Sequence, residues 1–194
     1  MGTCAVITAN ITFDCDNPPV AGNEDVLWVI NKAEWDNATL TPNGTNPQLI
    51  EGITLATGDF LFKYEGKNNS VEPTQKLVKG KYTESYDHEV TFKVFKTDAA
   101  TKEQLEKLAS GRVVAILENR FRGDTGASAF EIYGSDVGME VQELTRTLND
   151  ADTQGAFNLI LRSPEISKEG HLPASLFVTS YAATKAVIEA LVSP

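Results

Sequence analysis

Residues 101–111 read TKEQLEKLASG and lead directly into the apolar run RVVAILE, residues 112–118. The first part predicts a helix, because Thr101 and Gln104 have the spacing of a capping box and Gly111 can end the helix in the left-handed conformation. The second part predicts a buried strand, since a short continuous apolar run that follows a turn signal is typical of one. Together these residues predict a helix that flanks a sheet.

Strand patterns dominate the rest of the chain. Residues 26–30 form a short apolar run, and residues 88–96 alternate, with Val90, Phe92 and Val94 on one face. Further strands are predicted at residues 4–13, 49–55, 60–64, 75–79, 129–133, 138–148 and 156–162. Clusters of Gly, Asn and Pro separate these runs, as turns between strands require.

The pattern of elements predicts the fold class. Many short strands, turn-rich connections and one packed helix indicate a mostly β protein, a β-sandwich or a barrel, with one flanking α-helix near 101–110. The Ala-rich residues 181–191 allow a short C-terminal helix. The chain shows no repeat or linker, so residues 1–194 are predicted to form a single β-rich domain, with an N-terminal arm at 1–20 and an extended loop at about 65–85.

The chain is acidic, with a formal net charge of −10 and a pI near 4.7. This charge argues against a protein that binds the phosphates of nucleic acids, because such sites need clustered Lys and Arg. It also disfavours binding to an anionic membrane surface. No run approaches the roughly 20 apolar residues of a membrane helix, and the N-terminal residues lack the pattern of a signal peptide. We therefore expect the chain to fold in a cytoplasm.

Few residues have the spacing of a chemical site. The two cysteines, Cys4 and Cys15, lie outside any CxxC motif and are predicted to be reduced thiols. The two histidines, His88 and His171, lack the further ligands that a metal site needs. An acidic cluster near the N-terminus consists of Asp14, Asp16, Glu24 and Asp25. The spacing of this cluster does not match a calcium loop.

The glycine-rich stretches and the aromatic residues have structural explanations. Residues 123–126 and 134–138 lack the Lys-Ser/Thr pair and the following helix of a phosphate loop, and we predict hairpin turns there. The aromatic residues fall mostly at strand positions, where core packing explains them better than a sugar-binding or nucleic-acid-binding face. The sequence thus predicts no catalytic, cofactor-binding or metal-ligating residues and no enzyme activity.

Four stretches carry a resemblance to a known class of proteins. They are CDNPPVAG (residues 15–22), FKYEGKNNS (62–70), the helix and strand at 101–118, and FEIYG followed by GMEV (130–134 and 138–141). On these stretches the chain resembles virion structural proteins of tailed bacteriophages, particularly tail tube (major tail) proteins.

The resemblance implies a self-assembling structural protein without cofactors. In tail tube proteins a β-sandwich with a flanking helix closes into a ring, usually a hexamer, and the rings stack into a conduit for DNA. The implied partners are other copies of the chain, further phage tail or neck proteins, and DNA that passes through the lumen without specific binding. The implied location is the virion, assembled in the cytoplasm of the bacterial host, with no membrane anchor.

The resemblance also implies roles for particular segments. The arm at 4–20 and the loop at 65–85 would contact neighbouring subunits, since exposed strands can extend a neighbour's sheet. Acidic turns near 124, 136 or 150–152 would face the lumen, where negative charge keeps DNA from sticking.

Three other classes of function stay open. A head–tail connector ring or a capsid decoration protein would share the β domain but not the stacking of tail rings. A monomeric binding module for a glycan or a peptide would show a patch of exposed aromatic residues. An enzyme would bring carboxylates, or a cysteine and a histidine, together in a pocket.

Overall fold

The computed structural model describes residues 9–12, 14, 15 and 17–194, which form eleven strands and three helices. The strands are β1 (Asn23–Asn31), β2 (Thr39–Pro42), β3 (Leu49–Thr54), β4 (Phe62–Glu65), β5 (Val71–Lys79), β6 (Glu84–Val94), β7 (Arg112–Asn119), β8 (Phe130–Tyr133), β9 (Met139–Arg146), β10 (Phe157–Arg162) and β11 (Ala174–Leu176). The helices are α1 (Lys32–Asp36), α2 (Ala99–Ala109) and α3 (Tyr181–Ala190). The prediction of a mostly β protein with a flanking helix and a C-terminal helix is confirmed.

All of these strands belong to one mixed sheet. Its order is β2-β3-β11-β8-β7-β9-β10-β6-β5, and β1 pairs both with β7 and with β4. The pairing of β11 with β3 is parallel, and the other pairings are antiparallel. Among the described residues the outer edges of β2, β4 and β5 have no strand partner. The sheet therefore stays open and does not close into a barrel.

Strands β1 and β7 form the centre of the molecule, because both of their faces are buried. Residues 27–30 of β1 and 113–117 of β7 are at most 2% exposed. A strand with one buried face alternates apolar and polar residues, whereas these strands are apolar at every position since a core lies on each side. The two apolar runs that predict buried strands are thereby confirmed.

The two cores differ in what covers the central strands. On one face Leu27 and Leu117 pack against the apolar residues of β6 and β10 and against Leu105 of α2. On the other face Trp28 and Ile116 pack against residues of β3, β11 and α3. The first core gives the fold its sandwich character, because the β1–β7 layer faces the β6–β10 layer.

Helix α2 begins two residues before the predicted capping box. Asp98, rather than Thr101, is the N-cap, and its carboxylate accepts a hydrogen bond of 2.9 Å from the N–H of Thr101. Hydrogen bonds from Thr101 are the main reason that the pKa of Asp98 falls to about 2. Aspartate is a preferred N-cap because its oxygen satisfies a main-chain N–H that has no partner within the helix. Leu105 and Leu108 are the buried residues of α2.

Helix α3 is fixed to the sheet by a stacked aromatic pair and a buried carboxylate. The ring of Tyr181 stacks on Phe130 with the ring centroids 5.6 Å apart. The hydroxyl of Tyr181 and the ammonium group of Lys185 both donate to Glu118, which is 1% exposed. Gly126 lies so close to this contact that a Cβ there would come within 2.9 Å of the Cβ of Tyr181. The helix thus packs as part of the second core.

Two predicted segments differ in the structure or lie outside it. The extended loop predicted at about 65–85 is mostly a hairpin, formed by β5, a turn at 80–83 and the first part of β6. This hairpin lacks a strong apolar alternation because much of it packs against no core. The strand predicted at 4–13 lies largely outside the described residues, and residues 9–12 are exposed and form no strand. The arm at 1–20 therefore stays a prediction.

The central position of β7 can be tested with two chemically identical substitutions. The variant Ile116→Ala removes a fully buried side chain and should lower the free energy of unfolding by about 2–5 kcal/mol. The matched control Ile166→Ala truncates a side chain that is 99% exposed. It should change the free energy of unfolding by less than about 0.5 kcal/mol. Urea unfolding measures both values, and equal effects of the two variants would contradict the burial of β7.

Candidate functional site

The two histidines, far apart in sequence, meet in the structure. Nε2 of His88 lies 3.0 Å from the main-chain oxygen of His171, and Nδ1 accepts a hydrogen bond of 3.2 Å from the N–H of Gly134. Because the nitrogen that faces an N–H group carries no hydrogen, the ring is protonated on Nε2 alone and is neutral. His171 contributes only its carbonyl and is otherwise exposed, so the two rings do not form a ligand pair.

Burial sets the charge of His88. The residue is 1% exposed, and its ring centroid lies 5.4 Å from that of Tyr133 in an edge-on contact. Burial lowers the pKa of His88 and outweighs the opposite effects of the His171 carbonyl and of the Asp136 and Asp87 carboxylates. The neutral ring therefore serves as a hydrogen-bonding bridge between two loops.

Asp87, next to His88 on β6, is a buried charge with two cationic partners. Its carboxylate accepts hydrogen bonds from the guanidinium of Arg162 and, at 2.9 Å, from Nζ of Lys168. Burial favours the neutral acid, but the hydrogen bonds from the two cations outweigh it and lower the pKa of Asp87. Lys168 also donates to the carbonyl of Ser163 at 3.1 Å. The buried charge is thus compensated within the cluster.

Glu169 fastens the loop that follows β10. Its two carboxylate oxygens accept hydrogen bonds from the N–H groups of Asp136 at 2.8 Å and Val137 at 3.2 Å. Burial raises the pKa of Glu169, against the effect of these two bonds. The carboxylate of Asp136 in turn accepts a hydrogen bond of 2.9 Å from the N–H of Gly170. Residues 163–173, which we call the strap, are therefore held by polar contacts.

The polar groups of this cluster hold separate parts of the chain together. Both ring nitrogens of His88 and both oxygens of Glu169 are engaged with main-chain groups, and Asp87 is engaged with its two cations. These bonds join the strap to β6 and to the turn after β8. We therefore assign the cluster a structural role. Sequence spacing missed it because its members come from distant parts of the chain.

The other cysteines and acidic residues that the sequence singles out give no metal-binding group among the described residues. Cys15 is exposed, whereas Cys4 and Asp16 lie outside the described residues. The carboxylate of Asp25 accepts a hydrogen bond of 2.8 Å from the N–H of Ser70. In the part of the chain that the structure describes, no three His, Cys, Asp or Glu side chains are grouped so that they could hold a metal ion.

The two glycine-rich stretches have different structures. Residues 123–126 lie in the turn that joins the antiparallel strands β7 and β8, which confirms the predicted hairpin turn. Residues 134–138 join β8 to β9, and both of these strands pair with β7. The hairpin turn predicted at 134–138 is therefore wrong, because β8 and β9 do not pair with each other. They follow one another along the same edge of β7. The left-handed conformations of Gly134 and Gly138 make the turn, with φ of 77° and 79°.

An aromatic groove runs beside the open edge of β4. Its volume is about 730 Å³, and its lining includes Phe62, Tyr64, Phe95 and Gln104. Phe62 is 42% exposed and Phe95 is 40% exposed. The volume is within the range of small-molecule sites, and the adjacent strand edge could pair with an extended peptide.

The hairpin of β5 and β6 projects beyond its neighbours in the sheet. Strand β10 pairs with β6 only at residues 89–94, so residues 75–85, which we call the lysine hairpin, extend past that ladder. Leu77 and Tyr82 in this hairpin are 50% and 85% exposed. The outer edge of β5 has no strand partner within the described ranges. The hairpin therefore presents apolar side chains and an open edge to the surroundings.

The connection between β9 and β10 is a turn whose first part is mostly exposed. We call residues 147–156 the aspartate turn, and its Leu148 is 70% exposed. The carboxylate of Asp150 accepts hydrogen bonds from the N–H of Asp152 at 2.9 Å and from the hydroxyl of Thr153 at 2.8 Å. These bonds shape the turn and leave Asp152 exposed.

Comparisons with protein-family models, with curated proteins and with solved structures give no match to this chain. The function is therefore inferred from the fold and its surfaces. Of the helices in the described part of the chain, none has both the length and the apolar character needed to cross a membrane.

The neutral state of His88 predicts a pH dependence of stability. Because its pKa is lowered in the folded protein, the unfolded chain takes up a proton first as the pH falls below about 6.5. Stability from this group should therefore decrease towards pH 5, by at most about 1.4 kcal/mol for each pH unit in which only the unfolded chain is protonated.

The variant His88→Asn isolates this effect. Glu169, whose raised pKa acts in the opposite direction, is present in both proteins, so its contribution cancels in the difference. Unfolding free energies measured between about pH 7.5 and pH 5 should fall more steeply for the native protein than for the variant. The control His171→Asn, which keeps the main-chain carbonyl, should retain the steeper fall. Parallel curves for the native protein and His88→Asn would exclude the buried neutral ring.

Proposed function

We propose that this chain is a structural virion protein of a tailed bacteriophage, which self-assembles into stacked rings that form the tail tube, a conduit for DNA. The observation that carries the proposal is an open sheet that ends in a projecting hairpin with exposed apolar residues. The resemblance of four sequence stretches to tail tube proteins supports the virion setting. The cluster around His88 supports a non-enzymatic role, because its polar groups are used to fasten the strap.

The open strand edges support self-assembly. An exposed edge offers main-chain N–H and C=O groups that a second chain can pair with. The nine-residue strand β5 contains Pro73, Lys76 and Lys79. Proline and lysine on an edge strand limit its pairing with unrelated chains. The edge is therefore suited to a selective neighbour, and another copy of the chain is the simplest one.

The charge of the chain supports the conduit. A net charge of −10 disfavours lasting contacts with DNA phosphates, which suits a wall that DNA slides past. Asp124 is exposed in the turn between β7 and β8, and Asp136 is exposed in the turn between β8 and β9. These two turns, together with the acidic residues at 150–152, are candidates for the lumen wall.

A monomeric binding module is the second candidate function. The groove beside β4 favours it, because exposed aromatic rings next to an open strand edge suit an extended peptide. A connector ring or a decoration protein shares the surfaces that support the tail tube, and differs in whether its rings stack.

Electron microscopy and analytical ultracentrifugation of the purified chain test the proposal. Rings of uniform diameter that stack into hollow tubes at high concentration are the expected result. Single rings that never stack would favour a connector, and a monomer at every concentration would favour the binding module.

Two exposed leucines provide a matched test of the hairpin's role. Leu77 in the lysine hairpin is 50% exposed and Leu172 in the strap is 51% exposed. The variant Leu77→Asp should raise the concentration needed for assembly at least roughly tenfold, the equivalent of about 1.4 kcal/mol, because it places a charge in a contact between subunits. The control Leu172→Asp should assemble like the native chain, and equal behaviour of both variants would remove the hairpin from the interface.

A further inference from the structure

We propose that Asn43, in the turn between β2 and β3, is a site of spontaneous deamidation in the folded protein, and that the aspartate formed there loosens this turn. Neither the reaction nor its effect depends on the assembly proposed above. The turn supports both in two ways. The main-chain N–H group that attacks the side chain is free, and the amide that it attacks makes a hydrogen bond that the product cannot keep.

The residue after Asn43 makes the attack possible. Deamidation begins when the main-chain nitrogen of the next residue attacks the side-chain amide carbon, and a side chain on that residue hinders the approach. Asn43 is followed by Gly44, and this is the only Asn-Gly pair in the chain. Gly44 is exposed, and a Cβ built on it would meet no atom beyond its chain neighbours within 4 Å. The turn therefore has room for the change of main-chain conformation that the attack requires.

The N–H group of Gly44 is available for this reaction. The N–H groups on either side of it are engaged. That of Asn43 donates to the carbonyl of Leu49 at 2.8 Å, and that of Thr45 donates to Oδ1 of Asn43 at 2.9 Å. Within the described part of the chain, the N–H group of Gly44 donates to no acceptor. Because this nitrogen must lose its proton to attack, the lack of a protein acceptor suits it to the step.

Hydrogen bonds fix and polarise the side-chain amide of Asn43. Its Oδ1 accepts from the N–H groups of Thr45 and Asn46, both at 2.9 Å, and its Nδ2 donates to Oε1 of Glu51 at 2.6 Å. Two donors on one side and a carboxylate on the other are compatible with only this orientation of the amide. Negative charge develops on Oδ1 as Gly44 attacks, and the two N–H groups stabilise it in the manner of an oxyanion hole.

The reaction consumes water and releases ammonia. The nitrogen of Gly44 gives its proton to water and bonds to Cγ of Asn43. The bond from Cγ to Nδ2 then breaks, and Nδ2 leaves as ammonia after it has taken up a proton from water. Water opens the resulting succinimide ring at either of its two carbonyl carbons. The products are aspartate and isoaspartate, and nothing is oxidised or reduced.

Both products weaken the turn. Aspartate replaces the N–H donor that faces Glu51 with a carboxylate oxygen, so that a hydrogen bond gives way to repulsion between two negative charges. Isoaspartate lengthens the main chain of the turn by one carbon atom. The bond from the N–H group of Asn43 to Leu49 closes the hairpin next to this site, and among the described residues β3 is the only strand that pairs with β2. Deamidation should therefore loosen this edge of the sheet as the protein ages.

Peptide mapping by mass spectrometry tests the reaction. The folded native chain is incubated at mildly alkaline pH, which favours loss of the proton from Gly44, and is sampled over time. We expect Asn43 to deamidate before the other asparagines, whereas Asn46 should stay intact because Pro47 follows it and has no N–H group. The variant Gly44→Ala should react several times more slowly, since its methyl group hinders the attack. An Asn43 that stays intact in the folded chain but deamidates in urea would overturn the inference.

Hydrogen exchange of the amides of β2 and β3 tests the effect. The variant Asn43→Asp should exchange them faster than the native chain. The double variant Asn43→Asp/Glu51→Gln should return to near the native rates, because glutamine at position 51 can donate to the new carboxylate.

A matched control uses the neighbouring asparagine. The variant Asn46→Asp adds the same charge to the same turn and keeps the acceptor for the N–H group of Gln48, so it should exchange like the native chain. Native rates in Asn43→Asp, or no rescue by Glu51→Gln, would overturn the proposed loosening of the turn. Aged native protein, in which intact and deamidated chains coexist, gives the same comparison in case Asn43→Asp does not fold.

Discussion

The burial of β1 and β7 on both faces is the constraint on which the rest of the fold depends. Each large apolar side chain on these strands gains about 1.5–3 kcal/mol from full burial, and the gain requires cover on two sides. The layer of β6 and β10 with helix α2 supplies one cover, and β3, β11 and helix α3 supply the other. The turns, the helix caps and the strap must leave this packing on both faces of β1 and β7 intact.

The same constraint explains where polar groups are buried and where strands project. The cluster around His88 lies at the margin of the first core, where loops must satisfy their main-chain groups without water. The distal parts of β5 and β6, which are mostly exposed, extend beyond this margin as the lysine hairpin. Stability is thus concentrated at the centre of the sheet, and surfaces available for contact lie at its ends.

The sequence predicts the elements whose signal lies in neighbouring residues, and it misses those that depend on contacts with distant parts of the chain. Apolar runs and alternation identify the central strands, β6, β9 and β10, whereas the three-residue β11 exists only because β8 and β3 flank it. The alternation that turns Val90 and Phe92 inward also places His88 on the buried face, and this signal could have identified it. Its partners Gly134 and His171 could not be found in this way, because their contacts come from the folding of loops over the sheet.

The parallel pair of β11 and β3 has a consequence for synthesis of the chain. Ser175 pairs with Leu49, and the core that contains Trp28 is completed by Ile188 near the C-terminus. Because a chain leaves the ribosome from its N-terminus, this core stays open until the residues of α3 have emerged. The first core, built from residues up to Leu161, can form earlier. Nascent chains therefore expose one apolar face of β1 and β7 until α3 has been synthesised, and exposed apolar surface of this kind is prone to aggregation.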